Sequence, residues 1–570
     1  MGFLPILSEQ KISKEVVEKF GGLNTALRIN NGECRDEKNL SAREFPVLCT
    51  RKHRAIGAEL TAPGGIIAKN ALAYVDGVNL VYNGTTVNLG LSSAVPKQLI
   101  NMGAYILIFP DKKYFNTQKA TDFGSMEASA SVTGAAKATI CKDDGTEYTY
   151  VTTKPTEPTD GQRWLDGDTL KEWDAETSMW TVMVAYLKLP CPNCPFADGD
   201  GVEISGLSGE YADLNGTRVV VKVGSGFMVV SGKLANFSGG MGNYTAARLV
   251  PDMDYVTECG NRVWGCKYGA VGDKTVNEIY ACKLGDFKNW SCFQGLSTDS
   301  YAASRGSDGP WTGAVTYGGQ PIFFKENAIE KVYPSNSGAH QIVSTATTGV
   351  QDGSWRSLQV VGSYLFYKGV DGIYAYAGSI PTLVSENIGG VFHDARGGWK
   401  GRIYYVSMAN EANAYSLFTF DTEKKIWHKE DAVKALGFAN YSGECYYIEE
   451  TTGKIVKVDG FEGTYPDGWE ADTIEWSWES GDLGLDTTEH KYISRIVIRA
   501  KCDDGVFVWA KYDDGSWTKI GGGYSKRLGS FVIPVLPRRC DNVAIKLSGK
   551  GEAKIYSISK MIEKGSDIQW

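Results

Sequence analysis

Residues 401–431 read GRIYYVSMANEANAYSLFTFDTEKKIWHKED. A strand-like apolar run begins at Ile403, a polar turn follows, and a second run ends at Phe420 before DTEKK and Trp427. Two apolar runs joined by a polar turn predict a β-hairpin, and the later Trp predicts a further outer strand. The stretch is therefore a candidate repeat unit of an all-β fold.

The same pattern recurs along the chain. In residues 261–293, Arg262 aligns with Arg402 and Trp290 with Trp427. Shorter versions occupy 73–89, 105–117, 320–334, 364–378 and 444–460. The second hairpin strands, aligned at Tyr280, Tyr333, Tyr374, Phe418 and Val456, are 53, 41, 44 and 38 residues apart. A period near forty to fifty residues with four strand-sized pieces is typical of β-propeller blades. We prefer a propeller to a sandwich of unrelated hairpins, because the outer-strand Trp recurs after a similar turn.

The repeat also locates the other domains. Tyr114 and Tyr280 are 166 residues apart, which leaves roughly 120 residues beyond one blade-sized step. Residues 118–245 are therefore predicted to be an inserted β-rich domain, and 61–117 with 246–465 the β-propeller. Residues 466–570 show two-residue alternation interrupted by DDG turns, which predicts a C-terminal β-sandwich.

The inserted domain carries three tryptophans, Trp164, Trp173 and Trp180, on three predicted short strands. Aromatic rings of this kind can stack on sugar rings, which would make them an interaction surface. Alternatively, they form the core of a domain too small to have another one. The core interpretation is preferred at this point.

Residues 1–60 precede the first repeat. Their segment FGGLNTALRINNGECRDEKNLSAREFPVLCTRKHR (20–54) is half apolar but has no clear period. We expect this arm to contribute a strand to the propeller or to a neighbouring subunit. Helical signatures are scarce, and only 12–20 and 431–438 suggest one or two helical turns.

Composition narrows the class of protein. The chain has 570 residues, a formal charge of −8 and 67 Gly, as expected for many short strands joined by tight turns. The net acidity argues against a nucleic-acid-binding surface over the whole protein. The start lacks an apolar core long enough for a signal peptide, and no apolar run suffices for a transmembrane helix. We expect a protein made in the cytoplasm without a membrane-spanning segment.

No motif points to catalysis. The sequence contains no GxSxG, P-loop, HExxH or dinucleotide-binding fingerprint. The CPNC pair, Cys191 and Cys194, has no second CxxC to complete a zinc site, so structural thiols are preferred over metal or redox use. We therefore predict no enzymatic activity, no cofactor and no metal, although a glycosidase acid pair assembled by the fold stays open as an alternative.

A resemblance to a known protein family adds to these observations. The arm's motifs GGLN, NGE, RDEKNLS and FPVL before basic residues resemble, in this order, the opening of tail stabilization or nozzle proteins of short-tailed, gut-type bacteriophages. The segment PRRCDNVAIKLSGKGEAKIYSI (537–558) is similar to the end of the same proteins. With the propeller pattern, the resemblance covers about three quarters of the chain.

This family implies a virion protein of the phage tail, assembled in the host cytoplasm. It would form a homo-oligomeric ring, a hexamer in the family, below the portal and adaptor, and would carry tail fibres or spikes. Genomic DNA would pass through the ring during ejection without sequence-specific binding. Arg51, Lys52 and Arg54, at the end of the arm, then become candidates for a subunit or portal contact; the simpler explanation is a solvated turn.

Two further hypotheses stay open. One is a carbohydrate-binding or glycan-depolymerising tail or surface protein built on the propeller, with exposed tryptophans. The other is a bacterial propeller lectin or scaffold, which the expected lack of a secretion signal disfavours.

Overall fold

A computed structural model describes residues 12–94, 96–460, 474–483, 490–513 and 515–564. The chain divides into two compact units, residues 1–87 with 347–570 and residues 88–346. Within the described residues the chain is all-β, and seven of its sheets are four-stranded, the sheet type of β-propeller blades. We name them blades 1 to 7 in chain order. No helix in these ranges is long and apolar enough to cross a membrane.

The first unit contains four of the blades. Blade 1 comprises Pro63–Ala68, Leu72–Asp76, Asn79–Tyr82 and Thr85–Asn88. Blade 5 comprises Gln359–Val361, Tyr364–Lys368, Ile373–Tyr376 and Thr382–Leu383. Blade 6 comprises Phe392–Lys400, Ile403–Asn410, Tyr415–Asp421 and Ile426–Lys429. Blade 7 comprises Ala435–Tyr441, Glu444–Glu449 and Lys454–Lys457, with Ala55–Glu59 as its fourth strand. A short 3-10 helix, Trp355–Ser357, precedes blade 5.

The fourth strand of blade 7 comes from the opposite end of the chain. Ala55–Glu59 runs antiparallel to Lys454–Lys457, with Ile56 opposite Val456. A strand from the N-terminal arm therefore joins the last blade by backbone hydrogen bonds. Because these bonds are independent of side-chain identity, little in the local sequence of 55–59 marks the pairing.

The first unit also contains a ten-stranded sheet that combines the arm with the C-terminal region. The arm contributes Ile12–Val17, Gly22–Leu23, Glu33–Lys38, Leu40–Ser41 and Leu48–Thr50, with a 3-10 turn at Ala42–Glu44. The C-terminal region contributes Glu475–Ser480, Lys491–Tyr512, Thr518–Pro534, Val543–Lys550 and Ala553–Lys564. Buried Phe20, Leu23, Leu40 and Leu48 of the arm share one core with Trp478 and the C-terminal strands.

The C-terminal strands pair antiparallel with one another within this sheet. Along one edge of the long strand Lys491–Tyr512, residues 491–502 pair with Ala553–Lys564, whereas 506–512 pair with Val543–Lys550. The strand thus passes from one half of the sheet into the other. The turn expected at Asp503, Asp504 and Gly505 is instead a bulge within this strand, where the pairing register shifts and Gly505 has a φ of +94°.

The second unit contains blades 2 to 4. Blade 2 comprises Gln98–Met102, Tyr105–Phe109, Lys113–Asn116 and Phe123–Ser125. Blade 3 comprises Tyr255–Glu258, Val263–Val271, Lys274–Ala281 and Tyr301–Ser304. Blade 4 comprises Gly313–Tyr317, Gln320–Lys325, Ala328–Tyr333 and Gln341–Ala346.

Between blades 2 and 3 lies a separate β domain. Its seven-stranded sheet is built from Ala128–Ala135, Thr139–Cys141, Tyr186–Pro190, Gly201–Ser205, Gly216–Gly224, Phe227–Val230 and Gly242–Arg248, with a 3-10 helix at Gly209–Leu214. A three-stranded sheet, Arg163–Asp166, Thr169–Asp174 and Met179–Val182, is inserted between the second and third of these strands. The domain has its own hydrophobic core.

The two helical segments suggested by the sequence are wrong. Residues 12–17 form the strand Ile12–Val17, which pairs with Ala553–Lys564, and residues 435–441 form the first strand of blade 7. In both cases pairing with a strand outweighs local helix propensity, which amounts to only a fraction of a kcal/mol per residue.

Candidate functional site

The three-stranded sheet of the inserted domain presents the tryptophans on one face. In its register, Trp164 lies opposite Lys171, and Trp173 lies opposite Trp180. Residues that are opposite each other, or two apart on one strand, share a face of a sheet. Trp164, Trp173, Trp180 and Lys171 are therefore on the same side, which we call the tryptophan face.

The opposite side of this small sheet provides its core. Leu165 and Leu170 are buried and belong to the hydrophobic core of the inserted domain. The three tryptophans are half-buried and are not part of that core. The interpretation of these tryptophans as the core is therefore wrong, because two leucines on the other face already attach the sheet to the domain.

The three indole rings contact one another edge to face. The ring centroid of Trp180 lies 5.5 Å from that of Trp164 and 5.4 Å from that of Trp173, with interplanar angles of 68° and 60°. Such T-shaped contacts are favourable for aromatic quadrupoles. The rings are therefore tilted against one another and do not form a flat platform.

Charged groups and exposed apolar groups surround the rings. The ammonium groups of Lys154 and Lys171 lie 5.3 and 5.5 Å from the centroid of Trp164, and Lys171 pairs with Asp166 at 2.7 Å. On the same face Val182 is 69% exposed. A partly exposed aromatic and apolar patch bordered by donors and acceptors is typical of a ligand-binding surface.

The basic residues at the end of the arm, Arg51, Lys52 and Arg54, belong to the first unit and not to the inserted domain. Arg51 and Arg54 are only 4% and 5% exposed, whereas Lys52 is half-buried. Arg54 donates to both carboxylate oxygens of Asp431 at 2.8 Å and to Glu430 at 2.7 Å, and Arg51 Nη2 lies 3.3 Å from Asp431 Oδ2. These guanidinium groups are held by carboxylates of the same chain, so the structure does not support a subunit or portal contact at Arg51 and Arg54. The alternative explanation, a solvated turn, is also wrong for Arg51 and Arg54, because both side chains are buried.

Burial and charge act in opposite directions on these carboxyl groups. Burial alone would raise the pKa of Asp431, but the charge and hydrogen bonds of Arg54, together with Arg51, hold it below the ordinary value. For Glu430 the burial effect is stronger, so its pKa is raised in spite of Arg54. The arrangement is a structural ion-pair network.

A second ionic cluster, which sequence reasoning missed, lies at blades 6 and 7. Arg396 Nη2 is 2.8 Å from Asp394 and 3.3 Å from Glu450, and Lys434 is 2.7 Å from Glu450. The hydroxyl of Tyr415 donates to Asp394, whose φ of +49° places it in the left-handed region at a bulge. Because Asp394 and Glu450 are 56 positions apart, only the blade repeat could have suggested their proximity.

The cluster combines two carboxylates with three cations. The third cation, Arg356, lies 3.9 Å from Asp394. Burial and the nearby charge of Arg396 lower the pKa of Arg356 to about 10. No group of three or more His, Cys, Asp or Glu that could hold a metal ion is found in the described ranges. The cluster is thus a network of ion pairs at blades 6 and 7.

No protein-family model matches the chain, and no curated protein does. Solved structures similar to it include the exo-β-1,3-galactanase of Phanerochaete chrysosporium with galactose, at TM-score 0.22 and 8% identity, covering 54% of this chain and 94% of that one. BamB from Moraxella catarrhalis is similar at TM-score 0.32 and 8% identity, covering 73% and 99%. The phage phi92 endosialidase is similar at TM-score 0.24 and 10% identity, covering 78% and 76%.

These structures correct one prediction. The sequence predicts a protein without enzymatic activity, and the presence of a galactanase and an endosialidase among the similar structures contradicts it. At TM-scores this low, the substrates of those enzymes carry no argument about this chain. None of the comparisons tests the resemblance to phage tail proteins, which stays a prediction.

Proposed function

We propose that this protein binds carbohydrate through the tryptophan face. The observation that carries the proposal is the placement of Trp164, Trp173 and Trp180 together on a sheet face that is outside the domain core. The half-buried rings leave part of their apolar surface in contact with water, and a ligand that covers this surface gains free energy. The apolar C–H face of a pyranose ring is a matching partner, because it covers an indole while its hydroxyl groups remain at the rim.

The rim of the face suits hydroxyl-rich ligands. Lys154, Lys171 and Asp166 supply charged donors and acceptors next to Trp164. Hydrogen bonds between neutral hydroxyls and charged groups are stronger than those between neutral groups. The tilted rings favour a soluble, bent oligosaccharide chain over a flat crystalline polysaccharide, since a flat ligand could contact only one ring fully.

The test is a binding screen of the intact protein against soluble oligosaccharides and polysaccharides, followed by affinity measurements on any ligand found. Trp173→Ala and Trp180→Ala are expected to abolish or strongly weaken binding. Trp517→Ala is a matched control, because Trp517 is also half-buried and has two lysines, Lys511 and Lys546, near its ring. Absence of binding to every glycan class, or equal binding by Trp173→Ala, would contradict the proposal.

Glycan cleavage is tested in the same assays. Release of reducing ends from a bound glycan would extend the proposal to glycan depolymerisation. A separate candidate for such activity is the pair Asp394 and Glu450 in the first unit, whose carboxylates contact the same Arg396 nitrogen. Glycoside hydrolysis uses two carboxyl groups that flank the scissile bond.

As a second proposal, we infer that the protein is a component of a phage tail. One structural relationship supports this proposal. The two segments that resemble tail nozzle proteins, 20–54 and 537–558, are neighbours in the ten-stranded sheet, where Leu48 pairs with Ile555. The resemblance therefore concerns one folded region instead of two unrelated segments. In this proposal the protein forms a ring in the virion, contacts portal, adaptor and fibre or spike proteins, and surrounds the DNA path. Electron microscopy of the purified protein tests it, and a monomer would contradict it.

A further inference from the structure

The CPNC segment of the inserted domain has a geometry that the carbohydrate proposal does not use. It follows the strand Tyr186–Pro190 and leads toward Gly201–Ser205. The backbone N–H of Cys191 donates to Gly226 at 2.8 Å, and Asn193 has a φ of +52°. A left-handed residue between the two cysteines bends the chain back, and Asn tolerates that conformation better than most residues.

The bend lies between two cysteines that are separated by only two residues. Cys191 belongs to the hydrophobic core of the inserted domain, and Cys194 packs against that core. A donor next to a sulfur stabilises its thiolate. The Cys191 side chain lowers the pKa of the Cys194 thiol to about 7, whereas the Cys194 side chain, together with burial, raises the pKa of Cys191.

The two thiols differ in their exposure to solvent. Cys191 is fully buried, whereas Cys194 is half-buried. All twelve cysteines lie in the described ranges, and the other ten are buried in strands or loops. Cys194 is therefore the thiol that a reagent from solution reaches first, and Cys191 is the one positioned behind it.

We propose that Cys191 and Cys194 form a reversible dithiol–disulfide site that reacts with low-molecular-weight disulfides. In the first step the Cys194 thiolate attacks one sulfur of the reagent, forms a mixed disulfide and releases the other half as a thiolate. In the second step Cys191 loses its proton and attacks the Cys194 sulfur, which breaks the mixed disulfide and releases the second half of the reagent. The two cysteines lose two electrons and two protons, and one reagent disulfide becomes two thiols.

A metal site at the same place is not supported. Tetrahedral zinc needs four ligands, and no third His, Cys, Asp or Glu groups with the pair in the described ranges. The neighbouring Tyr244 hydroxyl donates to the Pro190 carbonyl at 2.6 Å, which fixes the end of the strand before the cysteines. The pair thus lies in a turn directly after a strand whose end is fixed by this hydrogen bond.

The experiment exposes the intact, reduced protein to oxidised glutathione under native conditions, followed by alkylation and mass spectrometry of the peptide containing both cysteines. We expect this peptide to lose two hydrogen atoms and to regain them on treatment with dithiothreitol. Cys191→Ser should accumulate glutathione on Cys194, because the second step is removed. Cys194→Ser should leave Cys191 unmodified, and Cys141→Ser, a buried thiol in the same domain, should behave like the wild type.

The wild-type protein alone gives a second measurement that requires no variant. Native alkylation of Cys194 is expected to be at least tenfold faster at pH 7.5 than that of any other cysteine. The proposal is overturned if Cys194 reacts no faster than the buried thiols. It is also overturned if the peptide stays reduced, or if Cys191→Ser accumulates no mixed disulfide. Carbohydrate binding by the tryptophan face is independent of all these results.

Discussion

Arg54 and Asp431 form a two-pronged ion pair across 377 positions of the chain. Arg54 Nη1 donates to Asp431 Oδ2 and Arg54 Nη2 to Asp431 Oδ1, both at 2.8 Å. The pair joins the end of the arm to the segment between blades 6 and 7 of the same unit. Its planar geometry is the bidentate arrangement that arginine forms with carboxylates.

Arg54→Ala is expected to lower the free energy of unfolding by about 3–5 kcal/mol, because it leaves Asp431 and Glu430 without their main cation in a buried place. Lys52→Ala, two positions away and half-buried, should change it by less than about 0.5 kcal/mol. Urea denaturation of the three proteins measures the difference. Equal stability of Arg54→Ala and the wild type would show that the pair is dispensable.

Phe20 is expected to link the arm to the C-terminal strands of the ten-stranded sheet. Its ring is buried and lies 6.0 Å from the ring of Trp478 in an edge-to-face contact. Phe20→Ala should destabilise the protein by about 3–5 kcal/mol, as for other large-to-small changes in a core. Leu27→Ala, whose side chain is 84% exposed, is the control and should have little effect. Thermal unfolding distinguishes the two, and similar melting temperatures would contradict a structural role of the arm.

The tryptophan face predicts a separation between stability and binding. Trp173→Ala should change the melting temperature little, while any glycan affinity falls at least about tenfold. Leu170→Ala, on the opposite face of the same strand and fully buried, should instead cost about 2–5 kcal/mol of stability. If Trp173→Ala unfolds the domain as Leu170→Ala does, the tryptophans are structural.

Lys368 predicts a pH dependence of stability. Burial lowers its pKa from 10.5 to about 8, although its ammonium group contacts Gln351 at 3.0 Å and the Val370 carbonyl at 3.2 Å. Between pH 8 and 10.5 the unfolded chain binds a proton at this lysine that the folded protein does not bind. Raising the pH from 8 to 10.5 therefore increases the free energy of unfolding.

The measurement compares the wild type with Lys368→Met by urea denaturation at several pH values. The stability difference should shift in favour of the wild type by about 3 kcal/mol between pH 8 and 10.5. A difference that does not change with pH would show that Lys368 keeps its proton in the folded protein throughout this range.

Sequence reasoning succeeded where the signal is local or repeated. The hairpin pattern of 401–431 and its recurrence every forty to fifty residues predict the four-stranded sheets, because strand alternation and turn residues are properties of neighbouring positions. It failed at 12–20, where helix propensity is weak and a partner strand more than 500 residues away decides the conformation. No sequence motif predicts the ionic cluster of Arg396, Asp394 and Glu450, because its members come from different blades.

The sequence by itself determined the all-β class, the blade-like repeat and the location of the three tryptophans on short strands. Only the tertiary structure decided which side chains face solvent. It buried Arg51 and Arg54 in ion pairs, turned Trp164, Trp173 and Trp180 away from the core, and buried Cys191 while leaving Cys194 half-buried. The physical reason is that burial and charge pairing depend on contacts between distant positions, whereas alternation and turns depend on adjacent ones.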